Sequence, residues 1–167
     1  MSRCPDAVEC EAIMAEVAKE VNDISTFKTN YIATLNSSAI YGATCKHGDL
    51  ECKAIPNDLI FFNYLLCTHR SLNLIGSHKW AKQCSEEVGQ DYGPIDECVN
   101  SDIGLNLFIE SVKRAKDYQA NKSCTIFING KKRCIKDGSW YDCPKGHSVK
   151  DFINSIKNAY DQDSKYH

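Results

Sequence analysis

No Cys-x2-Cys pair occurs anywhere in this chain of 167 residues, and that absence narrows the meaning of its ten cysteines. Structural zinc sites favour such close pairs. Here the nearest cysteines are separated by 5 and 6 intervening residues, and none of the five histidines stands at ligand spacing, so no metal is expected. Long apolar runs are also missing, and nothing approaches the ~20 residues that cross a bilayer as a helix. Met1-Ser2-Arg3 leads straight to Cys4 without an apolar signal-peptide core. There is no basic excess: 20 Lys and Arg face 22 Asp and Glu, for a net charge of −2. A nucleic acid or an anionic membrane is therefore not an expected partner. Internal repeats and low-complexity segments are absent.

What is present is an even number of cysteines in a chain of ordinary composition, 43% hydrophobic and 25% charged. Such a chain forms one domain, 1–167, with a core of its own. An oxidising compartment explains so many cysteines, because each disulfide stabilises a fold by ~2–4 kcal/mol. The cysteines thus indicate the secretory pathway while the N-terminus carries no export signal. A processed, engineered or truncated start would reconcile the two. Asn36-Ser37-Ser38 and Asn121-Lys122-Ser123 are glycosylation sequons and add weak support for secretion.

The apolar pattern predicts a helix over 10–22, with Ile13, Val17, Val21 and Ile24 on one stripe and Pro5 in its first turn. Residues 27–35 alternate as a strand, with Phe27, Thr29, Tyr31, Ala33 and Leu35 on one face. A polar loop follows to Thr44. Helices are predicted over 57–68, 78–88 and 103–118, punctuated by Gly76, Gly89, Gly93 and Pro94. Cys124 to Ile128 is apolar on both faces, as in a buried central strand. Asn129-Gly130 is a hairpin turn, and the lysines of the returning strand, 131–135, suit an edge. A helix over 148–160, capped by Ser148, closes the chain. With one more strand before Cys4, this order is that of a thioredoxin-like α/β (α+β) fold, with a helical insertion at 45–120 and its first strand missing.

Cys4 falls at a helix start, where unpaired N–H groups and the helix dipole stabilise a thiolate. Arg3 adds to this and Asp6 opposes it. Cys4 is therefore either an attacking thiolate or an ordinary half-cystine. A resolving thiol is expected one turn on, but that position is Ala7. Cys10 lies nearly two turns away, too far to meet Cys4 along an intact helix. Cys45 and Cys52 flank His47 and Glu51, either as a redox or metal loop or as a local staple. Cys134 with Cys143, around Asp137-Gly138, reads as a local staple, and Cys67 with Cys84 as a third pair.

The segment Cys45-Lys46-His47-Gly48-Asp49-Leu50-Glu51-Cys52, read as Cys-x-His-Gly-x-x-Glu-Cys, resembles the signature of the gamma-interferon-inducible lysosomal thiol reductase family. Ser2 to Ala7, Lys122 to Thr125, Lys132 to Gly138 and Trp140 to Cys143 are similar to its fungal and plant-like branch. The resemblance runs over roughly residues 2–156. It implies a secreted, lysosomal or vacuolar disulfide reductase working at acid pH, with a thioredoxin-like fold and no bound cofactor. Its implied partners are disulfide-containing proteins, with a small-molecule thiol as reductant, and the chain is expected to be a monomer.

Three departures stand out. Ala7 replaces the second cysteine of Cys-x-x-Cys. Ile55 and Ile60 stand where the family signature continues with Asn and Cys. Cys124 occupies the place of the fold's cis-proline, opposite the active cysteine. The catalytic candidates are thus Cys4 as attacking thiol, with Cys10 or Cys124 as resolving thiol; Cys124 could equally be a permanent partner that silences Cys4. The competing reading is a non-catalytic secreted protein of the same fold, with ten cysteines in five bridges.

Overall fold

The computed structural model describes residues 3–45 and 58–164, the side chains of 58 and 59 excepted. Most of the Cys45–Cys52 signature, including His47, Glu51 and Cys52, lies outside them. Among the described residues the protein is mixed α/β: helices with two small antiparallel sheets, an α+β arrangement.

Helix α1 spans Pro5–Val21. Pro5 occupies its first turn, where a missing N–H costs nothing, Asp6 complements the positive end and Lys19 the negative end. Two faces of α1 are buried against different partners. Cys10, Val17 and Val21 join one core with Ile126, Cys134, Phe152 and Ile156. Ala15 and Ala18 join a second core with Phe61, Phe62 and Leu65 of α2, which spans Asp58–His69. The two alanines supply small side chains where α2 lies against α1.

Of the segment predicted as a strand over 27–35, only Thr34–Leu35 (β1) enters a ladder, pairing antiparallel with Ala43–Thr44 (β2). Helix α5, Asp102–Asp117, takes the place of a neighbouring strand. The Tyr31 N–H donates to Ser111 Oγ at 2.8 Å, and Arg114 Nε donates to the Asn30 side chain at 3.0 Å. Phe27 sets its ring against Phe62, 5.6 Å between centres. Alternation marked a segment that lies against apolar neighbours, whereas a ladder also needs a partner strand. Ala43, Cys45, Phe108 and Val112 form a third core where this hairpin meets α5.

Helix α3, His78–Glu87, is capped by Ser77 and tied to α2 by the expected Cys67–Cys84 disulfide, with Cα atoms 5.6 Å apart. Helix α4, Tyr92–Val99, was not expected. Asp91 caps it, and Gly93 and Pro94, which looked like punctuation, sit in its first turn, where proline is tolerated. Helix α5 follows at once behind its own cap, Ser101.

The larger sheet has the order β3-β4-β5, with β3 at Thr125–Ile128, β4 at Lys131–Asp137 and β5 at Ser139–Tyr141. This reverses the expected positions: the apolar β3 is an edge within this sheet, and the lysine-bearing β4 is central. Lys131 and Lys132 are exposed at the start of β4, while Arg133 and Lys136 farther along it are buried with partners. Arg133 Nε donates to Ser155 Oγ at 2.9 Å and Nη2 to the Gly146 carbonyl at 3.0 Å, with the guanidinium over the Phe152 ring. Helix α6, Val149–Asp163, covers the sheet behind Ser148, the expected cap, here in a reciprocal capping box with Asp151. The Cys134–Cys143 staple is also present, across the β4–β5 turn.

Candidate functional site

Cys4 is the N-cap residue of α1, with extended backbone (φ −82°, ψ 128°) and its carbonyl accepting the Val8 N–H. It is not disulfide-bonded and is 8% exposed. Its Sγ faces Asp6 Oδ2 at 3.9 Å. Before it, Arg3 donates to the Ile75 carbonyl, which holds the start of α1 against the loop between α2 and α3.

Asp6 belongs to a charged cluster that joins α1 to the sheet. Lys136 Nζ donates to Asp6 Oδ1 at 2.9 Å and to the Gly138 carbonyl at 3.0 Å, and lies 3.1 Å from Glu9 Oε2. The Gly138 N–H also donates to Asp6 Oδ1, at 3.0 Å. Trp140 Nε1 donates to Glu9 Oε1 at 3.2 Å, and its ring stacks on His147. The hydrogen bond to Asp6, then that to Glu9, hold the Lys136 ammonium above the usual lysine range. Lys136 was not singled out in the sequence: it lies 130 residues from Asp6, and a lysine in a strand reads as solvent-facing.

Of the candidate catalytic cysteines, the structure brings two together. Cys10 and Cys124 form a disulfide, with Cα atoms 6.2 Å apart. Cys10 is fully buried, and the peptide bond before Cys124 is cis. Cys4 is paired with neither. Six residues of helix separate Cys4 and Cys10 by about 9 Å of axial rise, beyond the span of a disulfide. Cys98 in α4 is unbonded as well. Two free thiols depart from the expectation of five bridges, and nothing in the spacing of Cys98 announced it.

Two further features lie apart from Cys4. Two turns along α1, Glu11 Oε2 stands 3.1 Å from Nε2 of the buried His69, without hydrogen-bond alignment. A cavity of about 50 Å³ is lined by aromatic residues including Tyr31, Tyr64, Trp80 and Tyr92, and Cys4 does not border it. Burial, then the Tyr92 hydroxyl, raise the Tyr64 pKa; burial and the hydrogen bond to Asp96 push Tyr92 up to about 12. Both are neutral phenols at physiological pH. Among the described residues no group of three or more His, Cys, Asp or Glu side chains is arranged to hold a metal ion. No helix among them is long and apolar enough to cross a membrane.

Comparison of the chain with protein-family models, with curated proteins and with solved structures finds no match in any of the three. The chemistry of the site is therefore read from its own atoms.

Proposed function

We propose that the protein is a thiol–disulfide oxidoreductase that reduces protein disulfides in an acidic compartment of the secretory route, with Cys4 as the attacking thiol. One observation carries this reading: an unbonded cysteine at the N-cap of a helix, in a chain whose other described cysteines, Cys98 aside, are disulfide-bonded. The helix N-terminus favours the thiolate, and a thiolate at low pKa is what exchange chemistry in acid requires. The resemblance to the lysosomal thiol reductases and to their thioredoxin-like fold points the same way. Asn36 and Asn121 are both exposed, so either sequon is open to a glycan.

The cycle needs only chemistry of sulfur. The Cys4 thiolate attacks a substrate disulfide, the Cys4–substrate bond forms, the substrate S–S bond breaks, and the departing thiolate takes up a proton. With Ala7 in place of a second cysteine, a small-molecule thiol attacks Cys4 of the mixed disulfide and releases the second substrate thiol. A second small thiol then frees Cys4. The net exchange is one substrate disulfide and two small thiols for two substrate thiols and one small disulfide. Cys124 joins as resolving thiol only after its own bond to Cys10 has been reduced, while the intact helix keeps Cys10 out of reach of Cys4.

A second reading is favoured by the low exposure of Cys4 and by the closed Cys10–Cys124 bond: a secreted, disulfide-stapled protein that binds rather than catalyses. A reductase assay at acid and neutral pH decides between them, with wild type, Cys4→Ser, Cys10→Ser and Cys124→Ser. Turnover that disappears in Cys4→Ser supports the enzyme. A mixed disulfide trapped in one of the other variants names the resolving thiol. A folded wild type without turnover supports the binding protein.

A further inference from the structure

A lysine side chain that is only 7% exposed is rare unless its charge is matched. Lys136 is matched by two carboxylates, and both belong to the first two turns of the helix that Cys4 caps. The first of them is shared: Asp6 turns Oδ1 to Lys136 and Oδ2 to the Cys4 sulfur. Central strand, helix start and thiol are thus joined through one carboxylate. We propose that Lys136 is a positioning residue for Cys4, which sets through Asp6 how readily the thiol gives up its proton. This rests on the reading of Cys4 as the attacking group.

The sign follows from the groups around the sulfur. Asp6 accepts from the neutral thiol and repels the thiolate, so it opposes ionisation. Lys136, from β4, draws on the same carboxylate and offsets its charge, so it favours ionisation. Arg3 and the amide groups of the first turn act in the same direction as Lys136. Glu9 acts at one remove, as the second carboxylate on Lys136. Glu11 and His69, farther along α1 and on α2, are paired with each other.

The test is the pH dependence of Cys4 alkylation by iodoacetamide, on the full chain with Cys98→Ser so that this second free cysteine does not react. The thiolate sulfur bonds the acetamide carbon as iodide leaves, so the rate follows the ionised fraction, and its midpoint does not depend on how exposed the sulfur is. Lys136→Met should raise the midpoint by about one pH unit, and Asp6→Asn should lower it by about one unit. Lys136→Arg, which keeps the charge, should hold it near wild type. If Lys136→Met fails to fold, Asp6→Asn decides, because Lys136 keeps Glu9 and the Gly138 carbonyl there. Midpoints unchanged in Asp6→Asn and in any folded Lys136→Met would overturn the proposal. So would a Lys136→Met that melts earlier with the wild-type midpoint, the mark of a purely structural lysine. The reductase reading fails separately, by turnover that survives Cys4→Ser, and the midpoints are measured either way.

Discussion

Replacing both Cys10 and Cys124 by alanine should cost more stability than opening either of the two other described disulfides. Cys10–Cys124 closes a loop of 114 residues in sequence separation, against 17 for Cys67–Cys84 and 9 for Cys134–Cys143. In the chain-entropy account, a cross-link stabilises by restricting the unfolded chain, and the effect grows with the logarithm of loop length. That gives about 4.7 kcal/mol for a loop near 100 residues and about 3 kcal/mol for one near 15, with the shortest loop lower still. Nesting the Cys67–Cys84 loop inside the long one shortens the effective path little on a logarithmic scale. Each pair also loses one fully buried sulfur, Cys10, Cys84 or Cys134, so packing adds a similar cost to all three and leaves the order to the loops. Against a total of about 5–15 kcal/mol for a domain, this one bond is a large share. Urea unfolding of the three double-alanine variants measures the order. Equal costs, or a smaller cost for Cys10/Cys124 than for Cys134/Cys143, would refute the reasoning. In the folded protein, opening of Cys10–Cys124 before the other two bonds under graded dithiothreitol would assign it to the redox cycle.

Four further outcomes are expected. Phe152→Ala, at a fully buried position under Arg133 and beside Trp140, should lose about 3–5 kcal/mol in urea unfolding. Ser148→Ala, which removes one half of the α6 capping box, should lose about 1 kcal/mol and lower the melting temperature accordingly. The Ser148 hydrogen bonds hold the Asp151 carboxyl below its ordinary value of 3.8, so its stabilisation is complete above that pH and fades as pH falls below it; Asp151→Asn should flatten this acid limb in melts. At the alkaline end, the Tyr92 pKa is raised from 10.0 to about 12, so its stabilisation is present below pH 10 and lost as pH climbs toward 12, and Tyr92→Phe should remove that part of the pH dependence.

The features legible in the sequence were those written locally. Ser148 with the stripe Phe152, Ile153 and Ile156 specified the last helix and its cap, because both signals lie within one or two turns. The Cys67–Cys84 and Cys134–Cys143 bonds were legible for the same reason, since each joins neighbouring elements. Cys4 at a helix start was legible from Pro5 and the apolar spacing behind it. What was not legible depends on distant partners. The strand expected over 27–35 met α5 instead of another strand, and Ser111 took its backbone donor. The burial of two cationic residues in β4 rested on distant partners, Asp6 and Glu9 of α1 for Lys136, Ser155 and the Gly146 carbonyl for Arg133. Gly93 and Pro94 hid a helix because breakers at a first turn look like breakers anywhere. The Cys10–Cys124 bond and the Asp6–Lys136 contact, each spanning more than a hundred residues, left no local trace.

Helix α1 is a party wall between two rooms. Its Val17 and Val21 belong to the core under the sheet, while Ala15 and Ala18 belong to the one shared with α2. Such a wall cannot move toward one side without opening a gap on the other, so its axis is fixed twice over. Cys4 stands at the end of that wall, and its thiol inherits the rigidity of both rooms. Enlarging Ala18 from the α2 side would therefore be felt at the sulfur, although the two never touch. If Cys4 attacks as proposed, this helix keeps its thiol aimed without a resolving neighbour one turn on.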